Sequence, residues 1–513
     1  MKIALINPST KIRLTDKLEK YIIRAGSRWP HSGVKKIGTI PHYLPLPFFL
    51  GYAASLLEKF GHSVFVFDFV ALDYSESEML DELKKTEPDI IFFEPTVLTI
   101  DFDMKLIDNL KKTGITKTII LAGAYATVFA AELLQKNPNI DFIIKGEYEK
   151  KLLDLVNAIC GTEKIENCKG IVYLKNEKII DIDENSLIEP LDFLPIINRE
   201  LFPSKDRPNP QIYWDGFCQN YPALQMQASR GCPYKCDFCL WNNVIYRNGK
   251  YRTFSIDRVI TEMKILISKY NAKEIYFDDD DFTINKQFVS ELCSAIIQNK
   301  LNIKWSCMAD AVNLDERLIK LMADSGCIGV KIGIESANRQ ILKNLGKPID
   351  IEKARKLADI CLKYNIKLHT TFMLGLKNEN LQTINETLDF IENLPVSSFQ
   401  LSICSPFPGT KYYEYLKNNN FDIKMFDGKI NADIQNSILK LLLNDCELQK
   451  LAKRLKYFSA LWFLKKIFNF RWLLQFIRNI FRVVLGLGLN FFIFQVYSNL
   501  VDKIYSQKYR END

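Results

Sequence analysis

Cys232, Cys236 and Cys239 stand in one short run, SRGCPYKCDFCLW, separated by three and then two residues. Consecutive Cα atoms are about 3.8 Å apart, so one loop can curl all three thiols around a small inorganic centre. Thiolates are soft ligands that suit zinc or an iron–sulfur cluster. A structural zinc site closes its tetrahedron with a fourth Cys or His. No partner pair follows at finger-like spacing, and the next His is His369. Cys218 and Cys307 are the candidates to close such a site. Three ligands by themselves suit a four-iron cluster with one iron open to chelate something else, with zinc and a chance grouping as the other readings. The remaining nine Cys are scattered singly and read as small core residues.

A second chemistry-bearing run is YFDDDDFT, Tyr276–Thr283. Four adjacent Asp read alone as a solvated acidic loop or a divalent-metal site. The elements around both runs give them a place. From Leu224 the chain alternates short apolar strands with helical stretches: Leu224–Ser229, Glu274–Asp278, Ile303–Met308, Gly329–Glu335, Lys367–Leu374 and Ser398–Ile403. Six such units fall short of a complete eight-fold barrel and predict an open, partial (β/α)6 barrel. The cysteines follow its first strand and the Asp run its second.

Upstream, Lys2–Asn7, Ser63–Phe69, Asp89–Pro95, Thr118–Gly123 and Phe142–Gly146 are unalternating β-rich runs, as buried parallel strands are. Helical stretches such as Phe48–Phe60 and Met79–Glu87 separate them. Five βα units predict a doubly wound, flavodoxin-like sheet whose ligand sits at the carboxyl ends of its strands; an α/β scaffold without a ligand is the alternative. Gly170–Asp183 reads as a hairpin about Asn176–Glu177. The expected α/β organisation is a Rossmann-like domain (1–165), a hairpin and connection (166–221), the barrel (222–420) and a helical basic, aromatic region (421–513).

C-x3-C-x2-C with an aromatic before the last Cys, after strand one of a partial barrel, resembles the radical S-adenosylmethionine superfamily. The resemblance implies a 4Fe-4S cluster on Cys232, Cys236 and Cys239, whose open iron binds S-adenosyl-L-methionine and whose electron yields a 5′-deoxyadenosyl radical. It places Asp279 and Asp280, in a segment similar to F-x-D-D-x-F-T, near the methionine amino group. In IGIESAN, Glu335 and Ser336 match the fourth-strand segment that faces the cofactor. PFPGT (406–410) also matches, as turn geometry. MLGLKNEN departs from G-L-P-G-E-T at Lys377 and Asn378, and no contact is assigned to it. The resemblance spans residues 222–420.

The first domain resembles the cobalamin-binding module of one subclass of that superfamily. AGAYAT and KGEYE are similar to G-G-x-H-A-T and G-E-x-E, which implies that Gly123, Thr127, Gly146 and Glu147 contact the cobalamin nucleotide tail. Ala124 and Tyr125 depart from the second Gly and the His. No His lies between His62 and His369, so the loop after the third strand supplies no imidazole to cobalt. His31, His42 and His62 read as ordinary polar positions.

Composition is consistent with large packed cores: 513 residues, 47% hydrophobic and 25% charged. Twelve Cys are too few for a disulfide scaffold, and MKIALINPST lacks a signal-peptide core, so a cytoplasmic protein with reduced thiols is expected. The net charge of +7 resides in the tail: Lys450–Asp513 carries 12 basic and 3 acidic residues, so the body is not expected to bind nucleic acid. That tail holds 15 aromatic residues, among them Trp462, Phe463, Trp472 and Phe476, interleaved with Lys465, Lys466, Arg471, Arg478 and Arg482, ahead of an uncharged run from Val483 to Val501. It reads either as packing on the open side of the barrel or as a helix in a membrane interface, with a membrane span or nucleic-acid contact as lesser readings.

The expected function is a radical S-adenosylmethionine enzyme of anaerobic metabolism, a cobalamin-dependent methyltransferase acting on an unactivated carbon. Its expected partners are a reductant such as flavodoxin or ferredoxin and an unidentified small-molecule, lipid or peptide substrate. Alternatives are a ring-forming or rearranging relative without methyl transfer and a non-catalytic iron–sulfur or zinc module. Asp279, Asp280 and Glu335 argue against the last, which has no need of them.

Overall fold

The computed structural model describes residues 1–24, 31–38, 44–182, 186–202, 213, 215–247, 249–419, 421, 433–468, 472–474 and 476–477. The expectations for His42, Arg471, Arg478, Arg482 and the run 483–501 lie outside these residues, as do parts of the connection between the domains.

In the first domain the five parallel strands are Lys2–Asn7, Ser63–Asp68, Ile90–Phe93, Thr118–Leu121 and Phe142–Ile144. Lys2–Asn7 pairs with both Ser63–Asp68 and Ile90–Phe93, so the order among the five is 2-1-3-4-5, the flavodoxin-like winding. The central strands Lys2–Asn7, Ile90–Phe93 and Thr118–Leu121 are buried on both faces, while the edge strand Ser63–Asp68 is only partly covered. Ala4, Ile6, Ile91 and Phe93 meet Leu83, Leu106 and Leu110 on one side, while Ile3, Leu5, Ile90 and Phe92 face Phe48–Lys59 and Glu149–Ile159 on the other. Two features go beyond the sequence pattern. The hairpin Ile171–Lys175/Lys178–Ile182 joins the sheet antiparallel to Phe142–Ile144, making seven strands. A three-stranded meander, Lys11–Arg13, Leu18–Ile23 and His31–Lys36, stands beside it.

The helix Phe48–Lys59 is buried from Phe48 to Leu57, because it lies between the first sheet and the second domain. Phe49 stacks on Trp241 (ring centroids 5.0 Å) and Tyr52 on Phe254 (5.9 Å). One apolar core therefore runs from the first sheet into the barrel.

The barrel strands are Ala223–Met226, Glu274–Phe277, Lys304–Ala309, Cys327–Glu335, Lys367–Leu374 and Ser398–Ile403, all parallel and in sequence order. The sheet is open, since its order ends on the first and sixth strands. The first strand is shorter than the sequence pattern predicts. It stops at Met226, and Ser229–Arg230 pairs antiparallel with Arg252–Thr253, closing residues 231–251 into a loop that carries the cysteines.

After the helix Lys411–Asn418 the described chain resumes with Asp433–Leu442 and Asp445–Ile467. The second of these covers the outer face of the sixth strand: Phe399 meets Phe458 (5.7 Å) and Trp462 (5.1 Å) edge-on. Trp462 and Trp472 donate their indole N–H groups to the Ile391 and Val396 carbonyls. Trp462, Trp472 and the partly buried Phe463 and Phe476 thus join the core. Among the described residues, no helix is long and apolar enough to cross a membrane.

Candidate functional site

The cysteine loop is built for one shape. Gly231 has φ +88°, and a Cβ there would lie 2.0 Å from the Lys250 carbonyl oxygen. Two side chains outside the cysteine motif staple the loop. Asn242 donates to the Cys232 and Tyr234 carbonyls (2.7 and 2.6 Å), and Asn243 to those of Cys236 and Cys239 (3.0 and 2.7 Å). Cys236 is buried, while Cys232 and Cys239 are half-buried. Burial raises the Cys236 thiol to about 12 and Cys232 well above its ordinary value, with Asp281 adding to the second. Bare thiolates are unfavourable here, so a bound cation must offset the cost of ionising them. Cys218 precedes the first strand and packs with Phe217 and Tyr276 at the opposite end from the loop. Cys307 is fully buried beside Cys293 and Cys327. Among the described residues, no three His, Cys, Asp or Glu side chains converge as ligands of a single metal ion. Three thiols carried on one loop are a donor set of the kind that holds an iron–sulfur cluster.

The Asp run reaches this loop from the second strand. Asp279, fully buried, accepts from the Ala228 N–H (2.9 Å) and the Ser229 hydroxyl (2.5 Å). Asp280 accepts from the Gly231 N–H (2.8 Å) and the Tyr246 hydroxyl (3.0 Å). Both carboxylates therefore anchor the start of the cysteine loop, and of the two Asp280 is the partly accessible one. Burial and then the Asp310 carboxyl push Asp281 well above the ordinary carboxylate range.

Glu335 ends the fourth strand at φ +70°, after a register shift between Gly333 and Glu335. Its Oε1 pairs with Lys347 Nζ at 2.6 Å, and its Oε2 is buried with no hydrogen-bond partner among the described residues. A Cβ on Gly333 would lie 2.3 Å from Oε1, so the carboxylate folds back only over glycine. Ser336 turns the other way: fully buried, its hydroxyl meets Thr387 Oγ1 (3.2 Å) and accepts from the Asn338 N–H (3.2 Å). Asn338 caps the next helix. In GLKNEN, Asn378 takes φ +66° and Glu379 accepts from the Gly375 and Leu376 N–H groups (2.7 and 3.0 Å), a role that the departures at Lys377 and Asn378 had hidden.

The structure joins three of the predicted first-domain residues. The Thr127 hydroxyl donates to the Gly123 carbonyl (2.7 Å) and accepts from the Gly146 N–H (3.0 Å). Gly123 and Gly146 have φ +88° and +70°. A Cβ on Gly123 would lie 3.0 Å from Glu94 Oε2, and one on Gly146 would lie 3.0 Å from the Ile245 carbonyl oxygen. Ile245 belongs to Trp241–Ile245, the helical turn directly after Cys239. Glu147 instead points at the barrel, where Arg230 (2.9 Å) and Arg252 (2.9 Å) hold it. Burial alone would raise its carboxyl, but the two guanidinium groups bring it below the ordinary value. Tyr125 packs on Phe129 (4.7 Å). Glu94, which carries no motif, is half-buried at the end of the third strand; desolvation lifts it to about 7 despite the Tyr148 hydroxyl donated at 2.7 Å. His62 meets Asn157 (3.2 Å), while His369 lies inside the barrel beside Ser398 (2.8 Å).

Residues 226–391 match the model of the Radical SAM superfamily. The chain is 30% identical over 380 residues to the uncharacterized methyltransferase PH0819 of Pyrococcus horikoshii, covering 74% of this chain and 80% of that one. It is 24% identical over 418 residues to an anaerobic magnesium-protoporphyrin IX monomethyl ester cyclase of Rubrivivax gelatinosus, covering 77% and 70%. Among solved structures, the fold is similar to the radical S-adenosylmethionine methyltransferase TsrM of Kitasatospora setae, with cobalamin and a [4Fe-4S] cluster bound (TM-score 0.63, 16% identity, 82% of this chain and 75% of that one). It is also similar to the cobalamin-dependent enzyme OxsB (TM-score 0.59, 18% identity, 84% and 57%).

Proposed function

The chain belongs to the radical S-adenosylmethionine superfamily, and from that premise we propose that it is a cobalamin-dependent methyltransferase acting on an unactivated carbon. The observation that carries this reading is the contact between Gly146 and the Ile245 carbonyl: the first-domain glycine loops and the cysteine loop share one wall. When bound, the 4Fe-4S cluster and S-adenosylmethionine supply a 5′-deoxyadenosyl radical for hydrogen abstraction, and cobalamin supplies the methyl group.

The chain's own residues then have defined tasks. Cys232, Cys236 and Cys239 hold the cluster. The free Oε2 of Glu335 accepts from the ammonium group of S-adenosylmethionine, with Asp280 beside it and Asp279 as its support. Gly123, Thr127 and Gly146 form the small-residue approach for the cobalamin tail, and Glu147 secures that loop to the barrel. Ser336 supports the Glu335 turn. Packing of Phe49, Trp241 and Phe254 between the domains keeps water from the shared wall, which protects a radical. A flavodoxin or ferredoxin in a reducing cytoplasm is the proposed electron source.

Anaerobic reconstitution with iron, sulfide and cobalamin, followed by S-adenosylmethionine and dithionite, tests the reading. Formation of 5′-deoxyadenosine is expected, with S-adenosylhomocysteine once the substrate is present. Protein that retains no corrinoid after reconstitution removes cobalamin. The similarity to the cyclase supports a second reading, radical chemistry without methyl transfer, which predicts deoxyadenosine without S-adenosylhomocysteine.

We further propose peripheral membrane contact through the last described helix. Tyr457, Leu461, Leu464 and, just past the helix end, Phe468 recur at helical spacing on a different side from the buried Phe458 and Trp462, and are exposed (59% for Tyr457, 88% for Phe468). Full-length protein is expected to float with anionic liposomes at low salt, and a Leu464→Ser/Phe468→Ser variant to stay at the bottom. Equal flotation of both excludes the stripe as the contact.

A further inference from the structure

Four ionic side chains lie wholly inside the seam between the domains. Arg230 pairs with Glu147 (2.9 Å) and Glu149 (2.6 Å), and Arg252 with Glu147 (2.9 Å); none of the four side chains is more than 3% exposed. Arg252 also donates to the Ile188 carbonyl (2.7 Å), and Glu147 accepts from the Ile188 N–H (2.7 Å). The Arg230 guanidinium is layered on the rings of Phe49 (4.2 Å) and Tyr52 (4.9 Å). A buried ionic cluster of this kind is a poor source of net stability, because desolvation offsets the Coulombic gain. What it does provide is a fixed geometry.

The places of the four residues matter more than their number. Arg230 stands two residues before Cys232, and Arg252 is its antiparallel partner at the base of the cysteine loop. Glu147 follows Gly146, the residue that touches the Ile245 carbonyl after Cys239. Glu147 thus belongs to the loop proposed to meet cobalamin and Glu149 to the first turn of the helix that follows it, and the bases to the two legs of the loop proposed to hold the cluster. From the barrel side, Asp279 and Asp280 grip the residues on either side of Arg230 through Ser229 and Gly231.

We propose that Arg230 is a positioning residue that sets the register between the two cofactor loops, acting through Glu147 and Glu149 rather than by touching substrate. The inference rests on the reading of the two loops as cofactor loops. Its mechanical part stands on the contacts alone. A planar guanidinium engages two carboxylates and two aromatic faces at once, which an ammonium cannot do.

The test uses the full-length protein with its cluster reconstituted, and compares wild type with Glu147→Gln, Arg230→Lys and Arg230→Met by amide hydrogen exchange, iron content and retained cobalamin. Losing a charge-assisted bond across the seam is expected to speed exchange of residues 228–240 about tenfold, while residues 367–374, on the far side of the barrel, stay unchanged and iron is retained. Glu147→Gln, made in the other domain, is the decisive variant, since it leaves the cysteine loop's sequence intact. Arg230→Lys is expected to resemble Arg230→Met. Unchanged exchange at 228–240 in Glu147→Gln, a rise spread evenly over the whole chain, or wild-type behaviour of Arg230→Lys would overturn the proposal. Wild type that binds no cobalamin sinks the cobalamin reading and leaves the exchange result to decide the strut.

Discussion

The two ends of the barrel carry the same kinds of side chain and use them differently. At the amino-terminal end, Glu274 accepts from the Gln219 and Asn220 N–H groups, the Asn220 amide and the Ser306 hydroxyl (2.7–3.1 Å). Lys331 pairs with Asp215 (2.9 Å), Lys367 donates to the Phe217 carbonyl (2.9 Å), and Phe217 lies against His369 (6.0 Å). Burial, and then the two lysines, push His369 down to about 3, so it stays neutral. At the carboxyl end, burial raises the Cys232 and Cys236 thiols, and among the described residues Glu335 leaves one buried oxygen unmatched. Buried polarity that is satisfied within the chain is a floor; buried polarity left open is a site. Barrel enzymes in general divide stability and chemistry between these two ends.

The sharpest break of this comparison is Cys236→Ala. It is expected to lose the cluster and all deoxyadenosine formation while thermal stability of the apoprotein barely moves; iron analysis and product chromatography decide. A Glu274→Leu variant tests the floor. Three N–H donors and a hydroxyl lose their acceptor, and about 4 kcal/mol of stability should go with them in denaturant titration, with the affinity for S-adenosylmethionine unchanged in the protein that remains folded.

The same contrast extends to the first domain through Glu94, at the carboxyl end of its sheet. Its folded value is raised from 4.5 to about 7. Below pH 4.5 the folded and unfolded chains both hold the proton and the group costs nothing. As pH rises to about 7 the folded chain must give up a proton that it binds more tightly, so stability falls. Glu94→Gln is expected to flatten that part of the profile and to be the more stable protein above pH 7 by about 3 kcal/mol at most. A wild-type profile as flat as the variant's would place Glu94 in a wetter setting. The smallest effect is expected at Glu335. Glu335→Gln should raise the KM for S-adenosylmethionine about tenfold, or about 1.4 kcal/mol, with little change in folding. An unchanged KM would mean that its free oxygen faces no ammonium.

Much of this architecture was legible because it is written locally. Short β-rich runs announce parallel strands, and all eleven in the two series form them. The C-x3-C-x2-C spacing puts three thiols on one loop, and its place after the first barrel strand carries the family resemblance. The departures lie where a short-range signal meets a long-range partner. Ser336 matches a segment expected to face the cofactor, yet its buried hydroxyl meets Thr387, 51 residues on. The meander 11–36 is too short and too charged to show a period. The aromatic face of the last helix resembles a membrane stripe in sequence, yet Trp462 and Trp472 face the sixth strand while Tyr457 and Phe468 face outward; only packing tells the two faces apart.

What the sequence determined by itself is therefore the element order, the winding, the place of the three cysteines after the first barrel strand and the family resemblance. What the tertiary structure decided is which charges remain available. Glu147 matches a cofactor motif, but Arg230 is 83 residues away and Arg252 is 105 away, and no pattern in either segment names the other. Asp279 sits inside an acidic run, yet the N–H and hydroxyl that absorb its charge belong to a different strand end. A carboxylate's valence is spent by whatever donor the fold brings within about 3 Å, and that distance is a property of the folded chain rather than of spacing along it.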